Sequence, residues 1–326
     1  MDRKIALEEH FALEETLRDC YYPGVFGPLW RDFRRRLLDL QDERLLEMDK
    51  HGIEFVILSL NSPAVQAVPD LKQAVEMARK ANDILANAIA ARPDRFAGFC
   101  AVPLQDPDAA IVELKRGIME LGFKGILVNG FSQVGSPDSA VYLDDSRYLP
   151  MWAAVEELDV PFYLHPRDPL PSRMPVYDGH PWFFGSNLAF GIETMIHALR
   201  LMASGLFDRH PKLKIILGHL GEGLPAAIWR IDHRLRKAPR GIPARRKMAE
   251  YLCSNFYITT SGNFRTPTLV DAMMEIGSDR ILFSVDHPFE ETIDAARWFD
   301  EAPISETDRV KIGRTNALAL FRMESR

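Results

Sequence analysis

Short apolar runs recur along the whole of this 326-residue chain. They are Lys4–Glu8, Glu54–Ser59, Phe96–Val102, Lys124–Val128, Val160–His165, Leu213–His219, Phe256–Ser261 and Arg280–Asp286. Their starts lie ~39 residues apart on average, the length of a βα unit plus a variable loop. Most are continuously apolar rather than alternating, which predicts parallel strands covered on both faces. Helical signals fall between them. Apolar residues at three- and four-residue spacing mark Ala74–Ala91. Asp106-Pro107-Asp108 places a cap and a proline before Ala109–Leu121, and Gly122 ends that run. Thr266-Pro267 opens a helix that stops at Gly277, and Ser305 caps a last helix reaching Phe321. Two stretches lack a period, 11–37 and 166–190, and both are rich in aromatics, proline and glycine.

Eight βα units in succession predict an α/β fold, a (β/α)₈ TIM barrel forming one domain over residues 1–326, with long insertions after strands one and five. A doubly wound sheet would show a glycine-rich first turn, whereas the first turn here reads Glu8-Glu9-His10. Hydrophobic residues make up 47% of the chain, enough to fill so large a core without disulfides. The net charge of −6 offers nothing to nucleic acid or to an anionic membrane. Cys20, Cys100 and Cys253 are odd in number and far apart, which argues against a disulfide framework or a thiolate zinc site. No uncharged apolar run approaches the ~18 residues of a spanning helix, and no apolar segment follows Met1-Asp2-Arg3-Lys4. A soluble cytoplasmic protein is the expectation.

In such a barrel, chemistry sits at the C-terminal ends of the strands. Strand one ends Glu8-Glu9-His10, strand five ends at His165, strand six at His219 and strand eight at Asp286-His287. Glu8 and His10 share parity and can face one side of the strand. Glu8, His10, His165 and Asp286 then offer two carboxylates and two imidazoles to one divalent cation. That N₂O₂ set suits zinc or manganese alike. Any one of these side chains alone reads as a buried partner or a cap, but packing does not explain three histidines and two acidic residues at the ends of strands one, five, six and eight. Glu9 reads as a structural partner.

These residues also carry a resemblance. The stretches ALEEHFAL, ILSLNSPAVQA, DVPFYLHPR, IILGHLGEGLP and RILFSVD, with others along essentially the whole chain, resemble the non-hydrolytic decarboxylases of the amidohydrolase superfamily, near aminocarboxymuconate semialdehyde decarboxylase. Within that branch they are most similar to the γ-resorcylate (2,6-dihydroxybenzoate) decarboxylase group, which His10 favours. Relatives acting on 2,3-dihydroxybenzoate or salicylate tend to carry alanine there. The resemblance implies one Zn²⁺ or Mn²⁺ per chain on Glu8, His10, His165 and Asp286, and no organic cofactor. It also implies catalytic positions at His219, Glu222 and Arg230, and a homo-oligomer, dimer or tetramer. His287 departs from the Trp, Tyr or Ser that often follows the strand-eight Asp in relatives.

The expected activity is non-oxidative, reversible decarboxylation of ortho-hydroxybenzoates, 2,6-dihydroxybenzoate giving resorcinol and CO₂. A cation with open positions can chelate the carboxylate and the ortho phenolate together. Asp286 can protonate the carboxyl-bearing carbon, with His219 and Glu222 handling the proton. The alternatives are a 2,3-dihydroxybenzoate or salicylate decarboxylase, a mononuclear metal-dependent hydrolase, and a binding protein without turnover. A two-metal hydrolase would want a lysine at the end of strand four, but Lys124 lies at its beginning. For the small aromatic acid, Phe26, Asn61, Asn129, Phe131, Phe190 and Arg230 are the candidate contacts. Tyr21, Tyr22, Trp30, Pro181 and Trp182 are candidate walls or lids.

Overall fold

The computed structural model describes residues 3–18 and 22–324. Eight strands form one parallel sheet in the order β1 to β8: Lys4–Phe11, Ile53–Leu60, Phe96–Cys100, Gly125–Asn129, Phe162–His165, Ile215–Leu217, Phe256–Thr259 and Ile281–Leu282. Each pairs with the next in sequence, and the sheet curls into the expected (β/α)₈ barrel. Alternation along the strands builds two cores. Ile5, Leu7, Ile57, Phe99, Leu127 and Tyr163 fill the interior. Ala6, Val56, Leu58, Ile126, Val128 and Leu164 face outward, under the helices. Among the described residues no helix is long and apolar enough to cross a membrane.

The strands are shorter at their C-terminal ends than the apolar runs suggest. β6 stops before His219, which takes φ 51°, and β8 stops well before Asp286, because the Phe283 N–H donates to the Ile312 carbonyl and the Ser284 N–H to Thr260 Oγ1, both at 2.9 Å. The last helix is capped by Ser305, whose Oγ accepts from the Asp308 N–H at 3.1 Å. It is not one regular helix. A π turn over Lys311–Thr315 separates Glu306–Val310 from Asn316–Leu320. There the Ile312 carbonyl takes the Phe283 N–H at 2.9 Å, and the Asn316 amide donates to the carbonyls of Ser278 and Ile281. The chain end is stitched to β8 at the expense of helical register.

The two aperiodic stretches are partly helical. Glu14–Leu17, Tyr22–Phe26 and Trp30–Leu38 form short helices after β1, and 3₁₀ turns follow β5 at Pro171–Tyr177, Pro181–Phe183 and Gly185–Asn187. Contacts among Tyr22, Phe26, Trp30 and Phe289 hold the first set, so sequence periodicity does not announce it. Cys20 and Tyr21 lie outside the described residues.

The seam between β8 and β1 carries no strand ladder among the described residues. The His10 N–H donates to the His287 carbonyl at 2.7 Å. One step along, the Val285 N–H donates to the Glu9 carboxyl at 3.0 Å. Glu9 thus closes the barrel as a side-chain substitute for a backbone carbonyl, the structural role expected of it. Burial pushes its carboxyl up to about 8, against the pull of that hydrogen bond and of the buried Arg44 guanidinium. Glu9→Ala leaves the Val285 N–H unsatisfied beside a void and should cost about 2–4 kcal/mol of stability. Glu9→Gln keeps an acceptor and should stay within about 1 kcal/mol of wild type. Equilibrium unfolding in denaturant measures both, and an alanine variant as stable as wild type would refute the seam role.

Candidate active site

Glu8 reaches the barrel interior through a backbone irregularity. Ile5 and Leu7 face inward, so a regular strand would turn Glu8 and His10 outward, toward the helices. The register instead slips between Leu7 and Glu9, which pair with the consecutive residues Ile57 and Leu58, and Glu8 sits in the bulge with φ 65°. The slip returns His10 to the interior opposite Ser59, whose Oγ lies 3.1 Å from His10 Nδ1. The expectation that Glu8 and His10 face one way holds, but the bulge selects the side.

The carboxylate of Glu8 is fully buried. Its Oε2 accepts from the hydroxyls of Tyr163, Ser261 and Thr259, the last at 3.2 Å. Its Oε1 lies 3.3 Å from His165 Nε2 and 3.9 Å from His219 Nε2. His10 Nε2 lies 3.2 Å from Asp286 Oδ1. Asp286 Oδ2 lies 3.6 Å from His219 Nε2, and His219 Nδ1 is 2.7 Å from Glu222 Oε1. Burial alone would raise the Glu8 carboxyl, but the imidazoles of His219, His165 and His10 outweigh it and hold it below the usual range. Burial lowers His165, which keeps its imidazole neutral, as a metal ligand requires. Burial also opposes charge on His219, yet Glu222, Glu8 and Asp286 overcome it and raise that group well above its ordinary value.

One ligand atom from each of Glu8, His10, His165 and Asp286 can be chosen so that all lie within 4.8 Å of one another. Glu8 Oε1, His10 Nε2 and Asp286 Oδ1 are buried without a hydrogen-bond partner. Buried polar atoms are seldom left so, and these fit a divalent cation between them. Two glycines make room. A Cβ on Gly218 would stand 2.9 Å from both Glu8 oxygens, and one on Gly191 would stand 3.0 Å from Glu222 Oε2.

Above this cluster opens a cavity of about 850 Å³. Phe26, Phe190, Phe289, Trp182 and Phe184 contribute aromatic walls, and His165, His219 and Asp286 lie among its lining residues. Tyr22 and Pro181 also line it, and Trp30 packs on Tyr22. Other sequence candidates lie elsewhere. Asn61 accepts from Thr16 Oγ1 at 2.7 Å, and Asn129 donates to the Asn61 carbonyl at 3.1 Å, so the two brace the strand-two loop outside the cavity wall. Phe131 is buried beneath the Arg167 guanidinium, 4.0 Å from its ring centre, packed with Tyr142 and Leu170. Arg230 is exposed on the helix Leu224–Lys237 and does not line the cavity. His287 turns away, with Nδ1 3.4 Å from Thr292 Oγ1, so its departure from relatives does not reach the cavity. Lys124 lies at the opposite end of the barrel, in a groove with Arg95 and Arg314.

Sequence reasoning overlooked Ser59, Tyr163, Thr259 and Ser261, which hold His10 and Glu8, and Glu290 in the cavity wall. Tyr163, two residues before His165 on one face of β5, and the alternating Thr259 and Ser261 at the end of β7 were the available signals.

A model of the amidohydrolase family matches residues 29–323. The chain belongs to the amidohydrolase family. This amidohydrolase is 60% identical over 330 residues to the gamma-resorcylate decarboxylase of Rhizobium radiobacter, with 100% of both chains covered. It matches a crystal structure of 2,6-dihydroxybenzoate decarboxylase complexed with 2,6-dihydroxybenzoate at a TM-score of 0.96 and 60% identity, over 99% of this chain and 100% of the other. It matches a dihydroxybenzoic acid decarboxylase from Polaromonas sp. JS666, with bound manganese and the inhibitor 2-nitroresorcinol, at a TM-score of 0.95 and 57% identity, over 99% and 98% of the two chains.

His165→Ala should lower both bound metal and turnover, read by elemental analysis of the purified protein. Unchanged occupancy would remove His165 from the ligand set. Tyr163→Phe takes one donor from Glu8 Oε2 and should weaken metal affinity by about 10–100-fold.

Proposed function

We propose that this amidohydrolase is a carboxy-lyase that decarboxylates ortho-hydroxybenzoates, with 2,6-dihydroxybenzoate as substrate and resorcinol and CO₂ as products, and that it runs reversibly. The observation that carries the reading is the convergence of Glu8, His10, His165 and Asp286, three of their ligand atoms unsatisfied, beneath an aromatic-walled cavity. Identity of 60% along the full length to a named gamma-resorcylate decarboxylase supports it. These four residues would hold one Mn²⁺ or Zn²⁺ per chain. When bound, such a cation supplies a Lewis-acid charge that favours the carboxylate and ortho phenolate of the substrate over a benzoate without the hydroxyl.

The chain's own residues do the rest. Phe26, Phe190 and Phe289 offer faces and edges to a planar ring and keep water from it. Asp286 lies on the cavity floor and delivers a proton to the carboxyl-bearing carbon. The ring, activated by its ortho phenolate, gives up an electron pair to that new C–H bond. The C–CO₂ bond then breaks, CO₂ leaves, and the bonding pair restores aromaticity. His219 stands 3.6 Å from Asp286 and 2.7 Å from Glu222, so the pair can return a proton to Asp286. Ile192 and Ile196 are exposed one turn apart on the helix Ala189–Ala203, with Leu188 exposed at its N-cap, which supports a homo-oligomer as part of the same reading. The cytoplasm is its proposed location.

A panel of hydroxybenzoates tests the reaction class. 2,6-Dihydroxybenzoate should turn over well, whereas benzoate and 3- or 4-hydroxybenzoate should be inert. Comparable turnover of 4-hydroxybenzoate would exclude a role for the ortho hydroxyl, and ester cleavage without CO₂ release would favour a hydrolase. With high bicarbonate the enzyme should carboxylate resorcinol beside a hydroxyl, seen as labelled carbon entering the ring.

Asp286→Asn keeps the size and a weak oxygen ligand but cannot shuttle a proton. It should lose at least about 10²–10⁴ in turnover with metal occupancy restored by excess metal. His219→Asn should be milder. A near-normal Asp286→Asn beside a dead His219→Asn would make His219 the acid.

A further inference from the structure

The cavity contains one carboxylate that the mechanism does not use. Glu290 is half-buried in the wall that it shares with His165, His219 and Asp286. The Asp286 carbonyl accepts from the N–H groups of Phe289 at 2.9 Å and Glu290 at 3.1 Å. That turn carries Glu290 back over the same cavity rather than out along the next helix, which begins at Thr292. Among the described residues, none donates a hydrogen bond to its carboxylate. Of the polar groups that line the cavity with it, the Ser62 hydroxyl donates to the Pro166 carbonyl at 2.9 Å and the Asn187 amide to the Trp182 carbonyl at 2.8 Å, while the Tyr177 and Ser186 hydroxyls make no bond to Glu290. No lysine or arginine is among the described residues that line the cavity, whereas Asp178, Asp286 and Glu290 all are.

Burial, with the Asp286 charge, pushes the Glu290 carboxyl up to about 7, and above that pH it is a carboxylate, which only accepts hydrogen bonds. Its accepting capacity is unspent among the described residues and open to the cavity, where a donor carried by the substrate can take it. On the reading of the site given above, the substrate's carboxylate and one ortho hydroxyl are committed to the metal site. We propose that Glu290 determines substrate specificity, accepting a hydrogen bond from a second ring hydroxyl of the bound acid and repelling a second ring carboxylate. The wall then separates substituents by polarity as well as size. A hydroxyl donates, but a carboxylate only accepts and meets Asp178 and Glu290 with no lysine or arginine among the described lining residues to offset them.

The test compares kcat/KM for 2,6-dihydroxybenzoate, salicylate and 4-hydroxyisophthalate in wild type, Glu290→Ala and Glu290→Gln, at matched metal content. Salicylate lacks the second hydroxyl, and 4-hydroxyisophthalate adds a second carboxylate. Glu290→Ala should lose roughly 10- to 100-fold on 2,6-dihydroxybenzoate, the usual range for one hydrogen bond to a charged group, while salicylate stays within about threefold. Glu290→Gln retains the shape and an acceptor oxygen and should fall between. Both variants should gain on 4-hydroxyisophthalate relative to salicylate. An equal loss on 2,6-dihydroxybenzoate and salicylate, or an unchanged preference in Glu290→Ala, overturns the assignment to Glu290. A wild type that decarboxylates no ortho-hydroxybenzoate overturns the underlying reading of the site instead.

Discussion

Glu8 presents the problem around which the rest of the barrel is arranged. A carboxylate with no solvent exposure loses its hydration, and burial on that scale ordinarily protonates it. Here two sets of groups hold the charge. The hydroxyls of Tyr163, Thr259 and Ser261 take Oε2, while the imidazoles of His165, His219 and His10 supply favourable potential around the group. This division leaves Oε1 unspent and aimed at the point where His10 Nε2 and Asp286 Oδ1 also end. The arrangement is costly to disturb. Removing a hydroxyl loosens the ligand, and enlarging Gly218 collides with it. Breaking the Glu9 seam releases the strand that carries both Glu8 and His10.

The backbone departs from regular geometry where the chemistry lies. Glu8, His219, Glu222 and Asp286 all have positive φ, a conformation that costs a non-glycine residue about 1–3 kcal/mol. Each departure marks a point where the chain leaves the ladder. In the interior layers below, regular alternation packs Leu7, Ile57, Leu127 and Tyr163. At the rim the same alternation would send half the side chains toward the helices. Leaving it lets consecutive stretches such as 8–10, 219–222 and 286–290 turn several polar groups toward one centre. The packed barrel beneath resists relaxation of these strained residues, which keeps the donors aligned before substrate arrives.

These two regimes explain what the sequence discloses. The eight strands are legible because both faces are buried, so each is written as an apolar run. Glu8, His10, His165 and Asp286 are legible because charged and imidazole side chains at the ends of such runs have no packing reason to be there. The bulge at Glu8 leaves no mark, since parity counts residues and not backbone register. The π turn at Lys311–Thr315 is likewise silent, because it answers to a hydrogen bond from Phe283, distant in sequence. Asn61, Asn129 and Phe131 follow strands in the way site residues do, yet the loops consume them in bracing one another and Arg167. Strand-end position thus identifies which residues can reach the barrel mouth, but not which have hydrogen-bonding capacity left on arrival.

Unspent capacity also describes the charge balance of the cavity. An aromatic acid brings a negative charge into a space walled by Phe26, Phe190 and Phe289, where attraction and repulsion are weakly screened. A binding site for an anion would ordinarily offer a guanidinium or an ammonium group. Among the described residues that line the cavity, His219 supplies the formal positive charge, and three carboxylates already draw on it. The acid's own carboxylate would therefore find its counter-charge at a divalent cation held by Glu8, His10, His165 and Asp286, which would direct it to the floor and the ring to the aromatic walls. A cationic wall would bind the acid more tightly but would compete for the carboxylate and stabilise the ground state as much as the product-forming geometry. By keeping its walls free of lysine and arginine, the barrel leaves one place for the charge to go, beside Asp286.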